Sequence, residues 1–346
     1  MLMYIIMTVS LLLFAQSLFS VYLMLYSWQQ KDTLEASKGP KQLIAPELSF
    51  TVLLPARNEE AVIYDTIQKI CQTNYPPELL EVVVICHQDD KGTIAEAQRA
   101  LNELNSWRVR IMTFANPPIN KPHGLNVGLH GTFNEVVAVF DAEDDIHADI
   151  FHIINTVMRL ENVRIVQAGV QLMNFRDHWF SPHNCMEYYF WFKSRLHFHA
   201  KAGMIPLGGN TVFIYRTLLE KIGGWDEECL TEDAEIGLRL SSLGEPIRVL
   251  YEQKYTTREE TPAGTTSFIR QRTRWQQGFL QVLWKGTWLS LPHFHQRLLA
   301  FYTLSYPFTQ ALLTLLWLPA LFSILWLKLS VITSIISFLP LYSLFF

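Results

Sequence analysis

The sequence predicts an α/β fold, a mostly parallel sheet with helices on both faces, framed by apolar segments at the two ends of the chain. Three observations carry this. Short apolar runs rich in strand formers, Ser49–Leu54, Glu81–Cys86 (EVVVIC) and Glu135–Phe140 (EVVAVF), read as buried strands. Segments of helical spacing alternate with them, as in Ala61–Cys71, where Val62, Ile63, Ile67 and Ile70 share a face. Alternation of fully buried strands with helices is the pattern of a parallel sheet covered on both sides. Third, charged residues are only 17% of the 346 and apolar ones 49%, with the apolar excess at the termini.

The termini come first. Residues 1–28 carry no charged side chain and exceed the roughly 20 apolar residues that a membrane-spanning helix needs. A cationic start and a small-residue cleavage site are both missing, so a secretory signal is not the reading. Lys31, Lys38 and Lys41 follow, and the positive-inside rule places the next segment in the cytoplasm. Residues 29–47 form a linker with Gly39-Pro40 and Ala45-Pro46 as breakers. At the far end, residues 298–346 read as two more spans, divided by Lys328. A lysine at mid-membrane would cost about 2.5–3.5 kcal/mol, so Lys328 marks a connection. The last span has no polar flank, which fits a chain that continues further. The expected place of the protein is therefore the inner or plasma membrane, multi-pass, with a cytoplasmic domain over residues 48–292 whose closing helices lie near the membrane interface.

Within that domain, polar residues just past the strands are the candidates, because open α/β sheets bind ligands at the carboxyl ends of their strands. Asp141-Ala142-Glu143-Asp144-Asp145 follows EVVAVF directly. Asp141 and Glu143, one residue apart, can hold a hard divalent cation, Mg²⁺ or Mn²⁺, against phosphate oxygens. A solvated acidic turn is the alternative, but carboxylates capping a buried strand repel one another unless a cation offsets them. Pro55-Ala56-Arg57-Asn58-Glu59 after the first strand can grip a nucleotide, Gln88-Asp89-Asp90 after the second can read a base or ribose, and Lys121 can meet a phosphate. Each could equally be a plain loop.

The second half offers Thr231-Glu232-Asp233 at the head of a helical segment, either as helix cap and first-turn acids or with Asp233 as general base. Gly208-Gly209 gives a loop where backbone can approach a ligand closely. Residues 187–199 are aromatic and cationic, fit for an acceptor groove or, preferably, a membrane surface. The pairs His197/His199 and His293/His295 alternate at strand spacing, as interfacial surface or metal ligands. In Ser267–Phe279, read as a helix, Gln271, Arg274, Trp275 and Gly278 fall on one face, presenting an amide, a forked cation, a flat indole and a gap. A guanidinium suits a phosphate and an indole suits a sugar's apolar face. A cationic helix lying on the membrane is the other reading.

Several classes are excluded or unsupported. A net charge of −4 without a basic tract gives no reason to expect nucleic acid. No Gly-x-Gly-x-x-Gly or Walker-type loop appears, nor a Gly-x-Ser-x-Gly elbow or His-Glu-x-x-His zinc site. The four scattered cysteines fit reduced thiols better than a disulfide frame.

Taken together, Pro55–Glu59, Lys121 with Asn126, Asp141-Ala142-Glu143, Thr231-Glu232-Asp233 and Gln271-x-x-Arg274-Trp275 resemble the family 2 glycosyltransferases, specifically the membrane-embedded branch of the bacterial cellulose and hyaluronan synthases. The resemblance runs from about Ser49 to Leu283. It implies a GT-A fold, a nucleotide-sugar donor, UDP-glucose or another UDP-sugar foremost, a divalent metal, and inverting transfer by direct displacement. Asp141 and Glu143 would hold metal and diphosphate, and Asp233 would be the base with Glu232 beside it. Pro55, Arg57, Glu59, Asp89, Lys121, Gln271 and Arg274 would meet the donor. Trp275, Gly208 and Gly209 would face the acceptor. Two departures stand out: Asp89 fills the first-aspartate role within an unusual Cys86-His87-Gln88-Asp89-Asp90, and the second acidic position is Glu143 rather than aspartate. The Gln-x-x-Arg-Trp motif leans toward repeated transfer, so a growing polysaccharide is the first acceptor considered. Three spans are few for a secretion channel, so further chains, a homo-oligomer or a membrane partner would complete it. The alternatives are a non-processive synthase with a lipid acceptor, and a membrane-anchored nucleotide-binding module without turnover.

Overall fold

The computed structural model describes residues 2–104, 107–327 and 330. The chain opens with α1 (Leu2–Gln29) and the short α2 (Lys31–Ala36). Four strands alternate with helices next: β1 (Phe50–Ala56), α3 (Ile63–Cys71), β2 (Leu80–His87), α4 (Lys91–Leu104), β3 (Val109–Phe114), α5 (Lys121–His130), β4 (Val136–Val139) and α6 (Ile150–Leu160). The second half runs β5 (Ile165–Ala168), β6 (Val170–Leu172), α7 (Ser181–Phe190), a π-helical turn at Trp191–Arg195, α8 (Leu196–Ala202), β7 (Val212–Tyr215) and α9 (Arg216–Ile222). It closes with α10 (Glu232–Ser242), β8 (Ile247–Leu250), β9 (Thr257–Glu259), α11 (Thr265–Lys285) and α12 (Phe294–Leu327).

The main sheet has the order β3-β2-β1-β4-β7-β5-β8. Only β7 runs antiparallel to its neighbours, so the expected mostly parallel sheet is present. Successive residues of the strands feed two opposite cores, as a sheet buried on both faces requires. Phe50, Val52, Leu54, Val82 and Val84 pack with Ile63 and Ile67 of α3 and with Phe151 and Ile154 of α6. Leu53, Val83, Ile85, Val137 and Val139 pack with Leu125 of α5, Leu219 of α9 and Ile236 of α10. The connections leave β1 and β4 in opposite directions across the sheet, so the crevice between their carboxyl ends is the switch point where ligands bind in such folds.

Two readings of local structure change. Pro55 does not break the first strand, which continues through it to Ala56 in register with β2. The carbonyls of Ser49 and Leu53 accept from Val136 and Phe140, so odd-numbered residues of β1 face β4. The β4 pairing ends at Leu53, so the N–H that proline lacks faces no ladder partner. His197 and His199 lie on a helix, α8, and both are buried rather than interfacial. Burial pushes their imidazoles down to about 3, so they are neutral packing groups. His293 and His295 stack ring on ring at 5.5 Å.

The terminal segments pack on one another and on the π-helical turn. Gln16 of α1 donates to Thr309 Oγ1 of α12 at 2.7 Å, and the Phe19 and Tyr302 rings meet at 4.9 Å. Ser194 Oγ accepts from Ser27 N at 3.0 Å and donates to the Leu23 carbonyl at 2.9 Å. α1 covers the first expected span from Leu2 onward and α12 covers the whole of the second, 298–327, running through Pro307 and Pro319. Over the described residues, no helix is long and apolar enough to cross a membrane. The expected last span, 329–346, lies outside the described residues but for Ser330.

Leu53 is fully buried between β2 and β4 beneath α5. Leu53→Ala should therefore destabilise the protein by about 2–5 kcal/mol, read as a lower denaturant midpoint with an unchanged slope.

Candidate active site

Four segments converge at the carboxyl ends of β1 and β4. α5 begins with Asn120 as its cap, whose side chain accepts from His123 N at 3.0 Å. That start aims Lys121 back over the sheet, where its Nζ donates to Asp141 Oδ1 at 2.5 Å and to the Gly209 carbonyl at 2.8 Å. The loop carrying Gly208 and Gly209 is pinned from below by the buried Gln167, whose Oε1 accepts from Gly208 N at 2.8 Å and whose Nε2 donates to the Asn210 carbonyl at 3.0 Å. A Cβ on Gly209 would sit 3.2 Å from Asp233 Oδ2 and 3.6 Å from Lys121 Nζ. Glycine there leaves the front of Asp233 open.

α10 presents Glu232 and Asp233 in its first turn, in agreement with the dipole argument. The expected cap does not form: Thr231 holds the cap position, yet its hydroxyl is buried without a hydrogen-bond partner. Glu232 is buried and Asp233 partly so, and both carboxyls are pushed above their ordinary range, chiefly by burial. Lys121 opposes that rise in both, and Arg274 opposes it in Asp233. Asp141 first, then Glu232 and Asp233, raise the Lys121 amine above its usual value despite its burial.

The acidic turn is held from within. Asp144 is buried, accepts from Asp141 N at 2.8 Å and from Asn210 Nδ2 at 2.9 and 3.1 Å, and Asn210 also bonds Glu259. Burial first, then Glu259 and Asp141, push Asp144 upward, and burial with Asp141 raises Glu259 to about 7 against its hydrogen bond with Asp144. Asp141 and Glu143 are left facing the crevice side, where Glu59 adds a third carboxyl. Burial first, then Glu143 and Asp141, raise Glu59 to about 7. Glu143 is raised by burial and by Asp141, and lowered by Lys121. Among the described residues, no set of three or more His, Cys, Asp or Glu side chains is arranged to hold a metal ion by itself.

Not every expected residue stands at this centre. Pro55 is inside β1, and Arg57 is exposed on the loop after it, donating to the Ile119 carbonyl at 3.3 Å. Asp89 has 79% of its side chain exposed, with only His87 3.7 Å away. Its neighbour Asp90 is the better-fixed acid, accepting from Asn58 N at 2.7 Å and from Thr93 N at 3.2 Å. Asn126 is a brace: it exchanges hydrogen bonds of 2.8 Å with the Trp225 backbone and donates to Glu227 at 2.9 Å.

Ser267–Phe279 is helical, as expected, within α11. Arg274 is exposed toward Asp233, and Gln271 Oε1 is buried without a partner. Trp275 lies under the Arg272 guanidinium, 4.6 Å from its ring centre, with the Tyr188 ring 6.1 Å away. Arg272, which no motif singled out, ties α11 to α7 through Glu187 and Asn184. Within residues 187–199, the π-helical turn and α8 pack on α1, while Glu187 and Tyr188 meet Arg272 and Trp275 of α11. Glu259, Asn210 and Arg272 are the site residues that the sequence did not point to. The bulky partners of the last, on α7, lie more than eighty residues upstream.

Known proteins are similar to this chain in sequence and fold. Residues 46–278 match the family described as "Glycosyltransferase like family 2". The chain is 29% identical over 239 residues to a beta-monoglucosyldiacylglycerol synthase of Nostoc sp., covering 67% of this chain and 49% of that protein. It is 23% identical over 246 residues to a poly-beta-1,6-N-acetyl-D-glucosamine synthase of Staphylococcus epidermidis, 70% of this chain and 57% of that one. The chain spans about half the length of the first of these. A solved mannosyltransferase of Pyrobaculum calidifontis, in complex with GDP-Man and Mn²⁺, superposes with a TM-score of 0.64 at 19% identity, covering 98% of this chain and 97% of that one. That likeness establishes the α/β GT-A fold.

The raised carboxyls give a pH signature. Glu59 has an ordinary value of 4.5 and a folded value of about 7. Protonation therefore favours the folded state, and this contribution is full below pH 4.5 and lost as pH rises toward 7. In the ligand-free protein, unfolding free energy should fall more steeply between pH 5 and 7 in the wild type than in Glu59→Gln. Equal slopes would contradict the burial argument.

Proposed function

The chain belongs to the glycosyltransferase like family 2, and on that premise we propose that it is a membrane-associated inverting enzyme moving a hexose from a nucleotide sugar to the hydroxyl of a lipid. The observation that carries the chemistry is the meeting of Lys121, Asp141 and Asp233 around Gly209, with Arg274 across from them. Lys121 and Arg274 offset the charge of a departing diphosphate, Arg274 with a forked donor set. The acceptor hydroxyl attacks the anomeric carbon, its proton passes to Asp233, and the bond to the diphosphate breaks with its electron pair leaving on the nucleotide. Glu59, Arg57 and Asp90 line the side where the nucleoside would lie.

A divalent cation fits this site. Asp141 and Glu143 repel one another and Glu59, and only Lys121 opposes them in Glu143. Among the described residues no three-ligand set is formed, and two carboxylates suit a hard ion completed by diphosphate oxygens. Asp141 and Glu143 would hold Mg²⁺ or Mn²⁺, which supplies neutralisation of the leaving diphosphate. That the Pyrobaculum mannosyltransferase was solved with GDP-Man and Mn²⁺ is in keeping with a nucleotide-sugar donor and a divalent ion here.

The nature of the acceptor shifts from the sequence-based expectation, which put a polymer first. The relatives with the higher identity are named as synthases of a glucosyl diacylglycerol, and this favours a lipid over a growing chain. A polysaccharide product is the second reading, supported by the N-acetylglucosamine polymer synthase. A lipid acceptor also accounts for apolar helices packed against the domain: α1 and α12 would anchor it at the membrane, with the catalytic domain on the cytoplasmic side where nucleotide sugars are made. Trp275 would then pack against the acceptor beside the reacting hydroxyl.

The test is the purified protein in nanodiscs containing diacylglycerol, with Mn²⁺ and separate labelled UDP-glucose, UDP-N-acetylglucosamine and GDP-mannose. One donor should give an organic-soluble product carrying a single hexose, and a water-soluble polymer would reverse the order of the two readings. Asp233→Asn should slow transfer by about 10²–10⁴-fold with donor affinity nearly unchanged. On the acid side, transfer should rise with pH with a midpoint above 3.8, the ordinary aspartate value, because burial raises Asp233.

A further inference from the structure

One stripe of α11 contacts the segment that delivers Glu232 and Asp233. Its first contact is Gly278, which lies against Thr231. The three atoms nearest to a Cβ built on Gly278 all belong to the Thr231 side chain, with Oγ1 at 2.6 Å and Cβ at 2.9 Å. Real Cβ contacts are not that short, so the two helices can approach this closely only with glycine at 278. One turn on, the Gln281 amide forks over the same strand of chain: its Nε2 donates to the Glu228 carbonyl at 2.6 Å, and its Oε1 accepts from Leu230 N at 3.0 Å. A further turn on, Lys285 pairs with Asp226. Between them Val282 is fully buried with Cys229 and Leu238.

Gly278, Gln281 and Lys285 thus follow at i, i+3 and i+7 and register residues 226–231 along the helix. The stripe continues the face that carries Gln271, Arg274 and Trp275. Thr231 does not fix the start of α10 by capping it, since its hydroxyl has no partner. Its side chain packs instead against Gly278.

We propose that Gly278 and Gln281 are positioning residues for Asp233. Through Thr231 and the 228–230 backbone they hold the base in one frame with Arg274 and Trp275, so that donor, acceptor and base are aligned by a single helix. This rests on the reading of Asp233 as the base. A misplacement of about 1 Å at a reacting group can cost about 10²-fold in rate. A methyl at 278 forces a shift of that order at Thr231.

The experiment compares wild type, Gly278→Ala, and Gly278→Ala combined with Thr231→Gly, each as full chain in nanodiscs. Glycine at 231 removes all three atoms that the methyl would meet and is tolerated at a helix cap position. Three quantities are read: kcat for transfer, affinity for UDP or GDP with Mn²⁺, and hydrogen exchange of the 230–234 amides. Gly278→Ala should lower kcat by about 10²-fold with nucleotide affinity within about twofold, and should speed exchange at 230–234. The double variant should recover at least a tenth of wild-type kcat and restore slow exchange. Wild-type transfer in Gly278→Ala, or a loss that the double variant does not restore in either kcat or exchange, would overturn the proposal. A fully active Asp233→Asn enzyme would instead remove the assignment of the base, and leave the exchange result to judge the contact.

Discussion

The structure depends on a single cation placed among carboxylates. Lys121 sits at the first position of α5, bonds Asp141 and the Gly209 carbonyl, and opposes the rise of Glu143, Glu232 and Asp233. Four acidic side chains at the mouth of a parallel sheet would otherwise repel, and desolvation would add to the cost. One lysine does not neutralise them all, and Glu59 is left at about 7. The ligand-free site is thus short of positive charge. Under the proposed function, a divalent cation held by Asp141 and Glu143 would supply charge that the carboxylates lack, and Arg274 of α11 would face the diphosphate that arrives with it.

The second theme is how one helix links chemistry to the terminal apolar segments. α11 carries the cation, the aromatic platform and the stripe that grips the approach to Asp233. Its Arg272 reaches α7 through Glu187 and Asn184, and α7 runs into the π-helical turn that bonds α1 at Leu23 and Ser27. π-helical turns recur at functional positions. Here the extra residue per turn brings Ser194 and Arg195 to α1, with Arg195 donating to Ser20 Oγ at 2.5 Å. Contacts are therefore continuous from α1 to Trp275, the side chain proposed to face the acceptor.

The first half of the sheet was legible because Val82–Cys86 and Val136–Phe140 are short apolar runs rich in β-branched residues; β5, β7 and β8 of the second half were not singled out. The acidic turn, Lys121, Asp233 and Trp275 were legible because spacing or position at a strand end marked them. What escaped was set by distant chain. Pro55 stays in β1 because β4 has already stopped pairing beside it, a fact of register that local propensity does not contain. Asp90 outranks Asp89 because Asn58 and Thr93 donate to it, and neither donor is apparent from the pentapeptide. Glu259 carries no motif, and Asn210 closes the 205–210 loop read only for its glycines; both reach the acidic turn because β9 lies beside it. His197 and His199 alternate like strand residues, yet tertiary burial turns them inward on a helix. Thr231 has the composition of a cap and is used as a contact surface.

The measurement closest to the central claim is calorimetric titration of UDP and GDP into the purified protein, with Mn²⁺ and with EDTA, for wild type and for Lys121→Met. The account predicts nucleotide binding that requires the divalent ion, is weakened at least tenfold in Lys121→Met, and tightens on neither protein when EDTA replaces the metal. Equal nucleotide affinity with and without the ion, or in the presence and absence of the Lys121 charge, would contradict it.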